Sequence, residues 1–544
     1  MKGPLQHWRE TPRAYLNWKL AYAVAVIGLM GLSRGADEGL VGSMTSSQAW
    51  LSEFHVEDKS SQQSNVVSMS QLGSIAGALL AFFAVDKLGR LQTARLCCVV
   101  WIIGVVIWIT SAGSVGQTYA GRFIAGIAFG AIPVTCPSFL VELAPPTIRG
   151  LTVTVFSASV YVGIVLSYFA NYGSQQGFPP TSSKTWQVPV GMHLVYAGIL
   201  LLSTIYVRES PRYLVKQGKH TAALDNLSWY RNLPKDDARI RAEMHSISFE
   251  YEKEKAAIGG KSFLHRLKSL FSTSANLYRL FVVGFGIQIL SQWSGGGSLT
   301  IYAEKILQLV GVKSNASLYT TGIFGIVKLF SSLLCAFFLV DFLGRKRSVF
   351  LGIGLQTLAA LYLTIYLSKV NPSNEQESPS QHRASIAAIV MVFISGVGWA
   401  LGFNSIQYLI GAEIWQMELR GLATSLIMAL HFANQYGSSR AIQPMLDAFD
   451  RWGLFAFWTV IGIIALLYIL FFIPETAGRS LESMNALFDK SWFQIGLMST
   501  MHQTFPTDQE KMLSEQTQID GESIASEHKG QKDYAEIRIE TRDV

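Results

Sequence analysis

Four charged side chains stand where a charge is hard to keep. Arg34, Asp37, Arg122 and Lys328 each fall inside a run of apolar residues. Such runs, ~20 residues long, are what a helix needs to cross a hydrocarbon core about 30 Å thick. A lone charge at that depth costs several kcal/mol, so each of the four must find a partner, a wet cavity or a solute. Asp37 lies seventeen residues into the first apolar run, roughly 26 Å along a helix at about 1.5 Å per residue, and Arg122 lies near the start of the fourth. If successive runs cross in opposite directions, these two sit at matching depth and can pair. Arg34 is three residues from Asp37 and shares its helix face. Gln288 and Gln292, four apart on one face of another run, add amides that donate and accept hydrogen bonds at once.

The elements that must hold these residues follow from composition. Of 544 residues 50% are hydrophobic and only 15% charged, against about 25% charged in an average soluble protein. A soluble enzyme, a nucleic-acid binder and a secreted disulfide scaffold are poor fits, and the net charge of +7 is too mild to imply nucleic acid. Twelve spans can be drawn, at 20–44, 63–85, 94–112, 118–140, 150–172, 187–207, 278–302, 317–340, 347–367, 384–412, 421–441 and 452–473. The expected fold is therefore an all-α membrane protein. It divides into an N-terminus at 1–19, a six-helix half at 20–207, a polar loop with short helices at 208–277, a second six-helix half at 278–473, and a tail at 474–544, mostly disordered after about 500.

Basic residues set the expected orientation. Lys2, Arg9, Arg13 and Lys19 precede span one, and Lys87, Arg90 and Arg95 follow span two. By the positive-inside rule both termini and the polar loop are cytoplasmic. Asn315, in Asn315-Ala316-Ser317, then faces outside as a candidate glycan acceptor. The four cysteines all lie in apolar stretches without metal-ligand spacing, and no metal or cofactor is expected. No glycine-rich phosphate loop follows a strand, which argues against an ATP-driven pump. No nucleophile–base arrangement is visible, so catalysis is not expected.

The strongest signal is an internal repeat. Asp86-Lys87-Leu88-Gly89-Arg90 recurs as Asp341-Phe342-Leu343-Gly344-Arg345. Glu142 and Arg149, seven apart, recur as Glu413 and Arg420, also seven apart. Glu209-Ser210-Pro211-Arg212 after span six is echoed by Pro474-Glu475-Thr476 after span twelve. Two parallel halves with a site between them are how alternating-access carriers are built.

These motifs, with Gly121-Arg122, Gly126 and Gly130 in span four and Gln288, Gln292 and Gly295 in span seven, resemble the sugar porter family of the major facilitator superfamily. The resemblance covers about 20–485, and the wording around Tyr408 to Ile414 and His431 to Gly437 resembles its fungal branch, which includes quinate and sugar-acid permeases. It implies that Asp37 and Arg122 form the proton-coupling pair; a static ion pair in a facilitator is the alternative. It also implies that Arg90, Glu142, Arg149, Glu209 and Arg212, with Arg345, Glu413, Arg420 and Glu475, form cytoplasmic ion-pair networks that clamp the halves together when the carrier faces outward. Arg208 and Leu91 depart from the family pattern. At the expected substrate site Gln288 and Gln292 match, while Ser157, Ser291, Tyr408 and His431 replace family residues and Asn404, Gln407 and Lys328 add polarity.

The resemblance therefore implies a proton-coupled importer of a small polyhydroxylated solute, a sugar or a sugar acid resembling quinate. Its partners would be that solute, protons and membrane lipid, with no nucleic acid, and it would work as a monomer in the plasma membrane. An uncoupled facilitator and a transporter-like nutrient sensor stay open. Lys328 has two readings, as the partner of an anionic solute or of a backbone carbonyl or carboxylate. For Arg34 the ordinary reading is a charge reaching an aqueous vestibule.

Overall fold

The computed structural model describes residues 17–57, 60–145, 148–258, 263–335, 344–370, 379–404, 414–415, 417–476, 487–488 and 491–498. The tail beyond 498, Gln407, Tyr408 and Glu413, and the side chains of Arg149 and Asn315, lie outside what is described. Among the described residues the regular structure is helical. Ten helices are long and apolar enough to cross a membrane, and the bent pair Leu264–Leu270 with Ser274–Trp293 would make an eleventh. Met417–Ala448, at 32 residues, has the length for a twelfth, although polar residues such as His431, Asn434 and Gln435 interrupt it.

The first six spans are α1 (Trp18–Leu29) with α2 (Leu32–Met44), α3 (Ser61–Leu88), α4 (Arg90–Ile109), α5 (Val115–Leu143), α6 (Arg149–Gly177) and α7 (Lys184–Ser203). Side-chain caps start several of them. Asn17 accepts from the N–H groups of Lys19 and Leu20, Ser60 from Gln63 and Ser114 from Gln117. Short helices α8 (Pro211–Lys216), α9 (His220–Arg231) and α10 (Ala238–Ile258) follow. The second set comprises α11 (Gly286–Trp293), α12 (Gly296–Ile301), α13 (Ser314–Leu334), α14 (Arg345–Lys369), α15 (Pro379–Leu401), α16 (Met417–Ala448) and α17 (Asp450–Phe472). Most helix ends fall near the sequence-based spans, but α16 runs on to Ala448, past the expected end at 441, and α15 ends at Leu401 where the expected span ran to 412.

Packing within and between the two sets is orderly. α5 lies along both α3 and α4, and α2 lies along α6; in the second set α14 lies along α15 and α17. The sets meet along two seams, α3 with α16 and α6 with α13. Small residues let the helices approach, as expected for membrane bundles. A methyl group on Gly126 or Gly130 would overlap the carbonyl oxygen of Ser70 or Ser74 on α3.

Span seven departs from the single helix expected over 278–302. A π-helical turn at Tyr278–Phe285 leads into α11, and the chain breaks at Gly295 before α12. Gly295 has φ +90°, and a side chain there would also run into the Trp458 ring. Only glycine adopts this conformation at little cost. The break aims the amides of α11 and the hydroxyls of α12 at the middle of the bundle independently of each other.

Candidate functional site

Asp37 and Arg122 meet as the sequence predicts. Arg122 Nη1 donates to Asp37 Oδ1 at 2.8 Å and Nη2 to Oδ2 at 3.2 Å, a two-point grip between α5 and α2. Neither side chain is more than 5% exposed. The remaining donors and lone pairs are also used. Ser70 Oγ of α3 donates to Asp37 Oδ2 at 2.7 Å, Arg122 Nε donates to the Val66 carbonyl at 2.6 Å, and Nη2 donates to the Val67 carbonyl at 3.2 Å. The guanidinium lies 4.7 Å from the centre of the Trp108 ring, a further attraction for a desolvated cation. A buried ion pair is tolerable only with this degree of satisfaction. Ser70 and the two carbonyls were not found from sequence; the serine-rich polar run at the start of span two was the signal available.

Arg34 does not share in this pair, and it does not reach an open vestibule. It is 6% exposed and its Nε donates to Glu38 Oε1 at 2.8 Å, one helical turn along. On α2 the i+4 neighbour is the better aligned partner, while Asp37 is turned toward Arg122. Arg34 also reaches across to α16, with Nη2 2.9 Å from His431 Nε2 and 3.4 Å from Gln435 Oε1. Gln435 Nε2 donates back to Glu38 Oε1 at 2.8 Å. Glu38 and Gln435 were missed by sequence reasoning, and together with Arg34 they tie the two sets of helices at mid-bundle.

His431 extends that tie to α11. Its Nδ1 is 2.7 Å from Gln288 Oε1. Because Arg34 can only donate, Nε2 must accept and Nδ1 must carry the proton, so the network assigns a neutral ring. Gln292 Nε2, 3.4 Å from that same Nδ1, then faces another donor and makes no good bond there. Its Oε1 is buried without a hydrogen-bond partner, as are Asn404 Nδ2 and the hydroxyls of Ser298 and Ser332. Buried polar atoms in native proteins nearly always have partners, and these four retain unused hydrogen-bonding capacity.

The other expected contacts are placed less centrally. Ser291 Oγ donates to the Gln288 carbonyl at 2.9 Å and so is spent on its own helix. Ser157 is buried on α6 but shares no hydrogen bond with the cluster among the described residues. Lys328 is wholly buried on α13, where it donates to Thr300 Oγ1 of α12 and lies 5.4 Å from the Tyr161 ring and 5.3 Å from the Phe324 ring. His193 is buried among Trp101, Trp108 and Tyr196, with neither ring nitrogen hydrogen-bonded.

At the end of the bundle that carries Arg90, the repeated motifs act in matched pairs. Glu209 accepts from the N–H groups of Arg90 and Leu91 at 3.2 and 3.1 Å, and Glu475 accepts from those of Arg345 and Lys346 at 2.9 and 3.1 Å. Each carboxylate thus caps the start of a membrane helix, where N–H groups lack partners and the helix dipole favours negative charge. Gly89 and Gly344 precede those helices, and a side chain at either would run into the capping carboxylate. Arg90 pairs with Glu142 at 2.8 Å, Ser210 Oγ donates to Glu142, and Arg212 pairs with Glu250 at 2.6 Å. Arg420 Nη2 donates to the Trp415 carbonyl at 3.3 Å. The described contacts of these residues lie at the end of one half or between it and the polar helices. Burial raises the Glu209 carboxyl above its usual value; the N–H groups of Ser210 and Leu91 and the Arg90 charge pull it back in part.

A discontinuous pair of helices, a buried carboxylate–guanidinium pair and unpartnered amides between two six-span sets define a secondary carrier of the major facilitator type. Residues 23–488 match the family described as Sugar (and other) transporter, and the chain belongs to it. The quinate permease of Emericella nidulans is 30% identical over 487 residues, covering 89% of this chain and 91% of the relative. The quinate permease of Neurospora terricola is 29% identical over 495 residues, with 89% and 91% covered. Among solved structures, the proton:xylose symporter XylE bound to 6-bromo-6-deoxy-D-glucose superposes with a TM-score of 0.70 at 20% identity, over 86% of this chain and 99% of that one. At that identity the superposition speaks for the fold alone.

Proposed function

We propose that this protein is a proton-coupled importer of a small polyhydroxylated solute, a sugar or sugar acid, working by alternating access. The observation that carries the reading is the Asp37–Arg122 grip, a carboxylate–guanidinium pair sealed from water at the junction of α2, α3 and α5. A proton on Asp37 cancels the charge that Arg122 and Ser70 hold, leaving Arg122 with the Val66 and Val67 carbonyls. α2 is thereby released from α5. The same helix carries Arg34 and Glu38, which hold α16, so loosening one face of α2 acts directly on the contact between the halves. The solute's hydroxyls are met by Gln292, Asn404, Ser298 and Ser332, with Gln288 holding His431 in place. The quinate permeases among the relatives support a cyclic polyhydroxy acid as the solute.

In this reading the Arg90 end is cytoplasmic, both termini lie on that side, and the chain works as a monomer in the plasma membrane. The polar helices α8 to α10 brace that end, and the staples at Glu142, Glu209 and Glu475 hold each half rigid while the halves rock. The test is uptake in cells lacking their own carriers. Adding solute should alkalinise the medium, and Asp37→Asn should abolish accumulation while leaving exchange. Uptake that only equilibrates the solute, without alkalinisation and unchanged by Asp37→Asn, would leave an uncoupled facilitator.

A further inference from the structure

The buried charges do not balance. Among the described residues, five side chains that are charged in water lie buried at mid-bundle: Asp37, Glu38, Arg34, Arg122 and Lys328. Asp37 is matched by Arg122 and Glu38 by Arg34. Lys328 is left over. It has no carboxylate within ion-pair distance among the described residues, only the Thr300 hydroxyl and two ring faces. The carboxylate whose field reaches it is Glu38, which Arg34 and Gln435 already hold. Burying an ammonium without a counter-charge is among the most expensive things a bundle can do, and two rings and a hydroxyl offset only part of that cost.

The surroundings of Lys328 fit a negatively charged solute. It sits at the α6–α13 seam, where the halves meet, because Tyr161 belongs to α6 and Thr300 to α12. Ser332, one turn along the same face of α13, presents a buried hydroxyl with no partner. Thr300 lies a turn beyond the Gly295 break from Gln292, whose oxygen is also unpartnered. We infer that the solute is a monocarboxylate, with its carboxylate paired to Lys328 and its hydroxyls read by Gln292, Ser298 and Asn404. Arg34 is the poorer anion contact because Glu38 already balances its charge, and its Nε and Nη2 are held by Glu38, His431 and Gln435. The assignment rests on the transport reading above and sharpens it from a polyhydroxylated solute to an anionic one. Carrying one proton with one monoanion moves no net charge, so uptake of the acid is electroneutral.

The test separates charge from shape and from transport. Purified full-length protein in detergent is titrated with galacturonate, gluconate and quinate, each beside its neutral primary amide, and affinity is read from thermal shift. At least one acid should bind about tenfold or more tightly than its amide. Lys328→Gln should bring that ratio close to one, and Lys328→Arg should keep it. Equal binding of every acid and its amide in the unsubstituted protein overturns the inference, as does a ratio that survives Lys328→Gln. Binding of none of the six overturns the solute class as well. A clear acid preference without alkalinisation on uptake leaves the charge assignment standing and removes proton coupling alone.

Discussion

Asp37 and Glu38 are neighbours in sequence, and the helix turns them about 100° apart. Asp37 stays within the first six spans, gripped by Arg122 and Ser70. Glu38 works across the halves, holding Arg34 on its own helix and Gln435 on α16. One carboxylate can change its charge without breaking a hydrogen bond across the seam, and the other cannot. The proton-coupled reading proposed above uses both kinds: a group that takes a proton, and a tie whose strength depends on how the halves are set. Placing them on consecutive residues couples the two through a single short helix.

Stability breaks the comparison at its strongest point. Removing one member of a buried ion pair typically costs about 3–5 kcal/mol because the other is left unpaired. The two removals should differ here. Arg122→Met leaves Asp37 with the Ser70 hydroxyl alone, whereas Asp37→Asn leaves Arg122 with two carbonyls and the Trp108 face. Unfolding in detergent should rank Arg122→Met as the less stable, with the double variant recovering part of the loss. A double variant no more stable than Arg122→Met would mean that the pair is not the source of the cost.

Coupling across the seam is a smaller effect with a sharper contrast. Directly bonded groups show interaction energies of about 0.5–3 kcal/mol in double-mutant cycles, and separated ones add within about 0.3–0.5 kcal/mol. A cycle of Glu38→Gln with Gln435→Ala should fall in the first range. The cycle of Asp37→Asn with Gln435→Ala should give a smaller coupling, because it is carried only through the backbone of α2. Equal coupling in both cycles would show that α2 responds as a rigid unit and that the division of labour between the two carboxylates is wrong.

What could be read from the sequence follows a physical line. Asp37 and Arg122 were legible because isolated charges in apolar runs must pair, and matching depth left few partners. The two-half architecture was legible from repeated Asp-Gly-Arg and Glu motifs, since loop motifs mark helix ends whatever the packing. Glu38 was hidden by Asp37: a contiguous Asp-Glu invites the nearer pairing with Arg34, although the i+4 spacing belongs to Glu38. The carbonyls of Val66 and Val67 could not be read at all, because every residue has one and only packing selects them. Three consecutive glycines from 295 to 297 signalled the break in span seven, but hydropathy averages over such a feature.

A third carboxylate sharpens the contrast by lacking a dominant cation. Glu209 is held by the backbone N–H groups of Arg90, Leu91 and Ser210. Burial raises its carboxyl above 4.5, with those N–H groups and the Arg90 charge opposing in part. The sign follows from proton binding. Between 4.5 and the raised value the folded protein holds more protons at this site than the unfolded chain, so its contribution to stability falls as pH rises through that window and is level above it. Glu209→Gln removes the titration and with it this slope, while the weaker amide cap lowers stability at every pH. Midpoints of thermal unfolding from pH 4.5 to about 6.5 should therefore decline less steeply in Glu209→Gln than in the unsubstituted protein. Parallel declines would mean that helix N–H groups hold this carboxylate as firmly as a guanidinium would, and the distinction between backbone-held and cation-held carboxylates would lose its force.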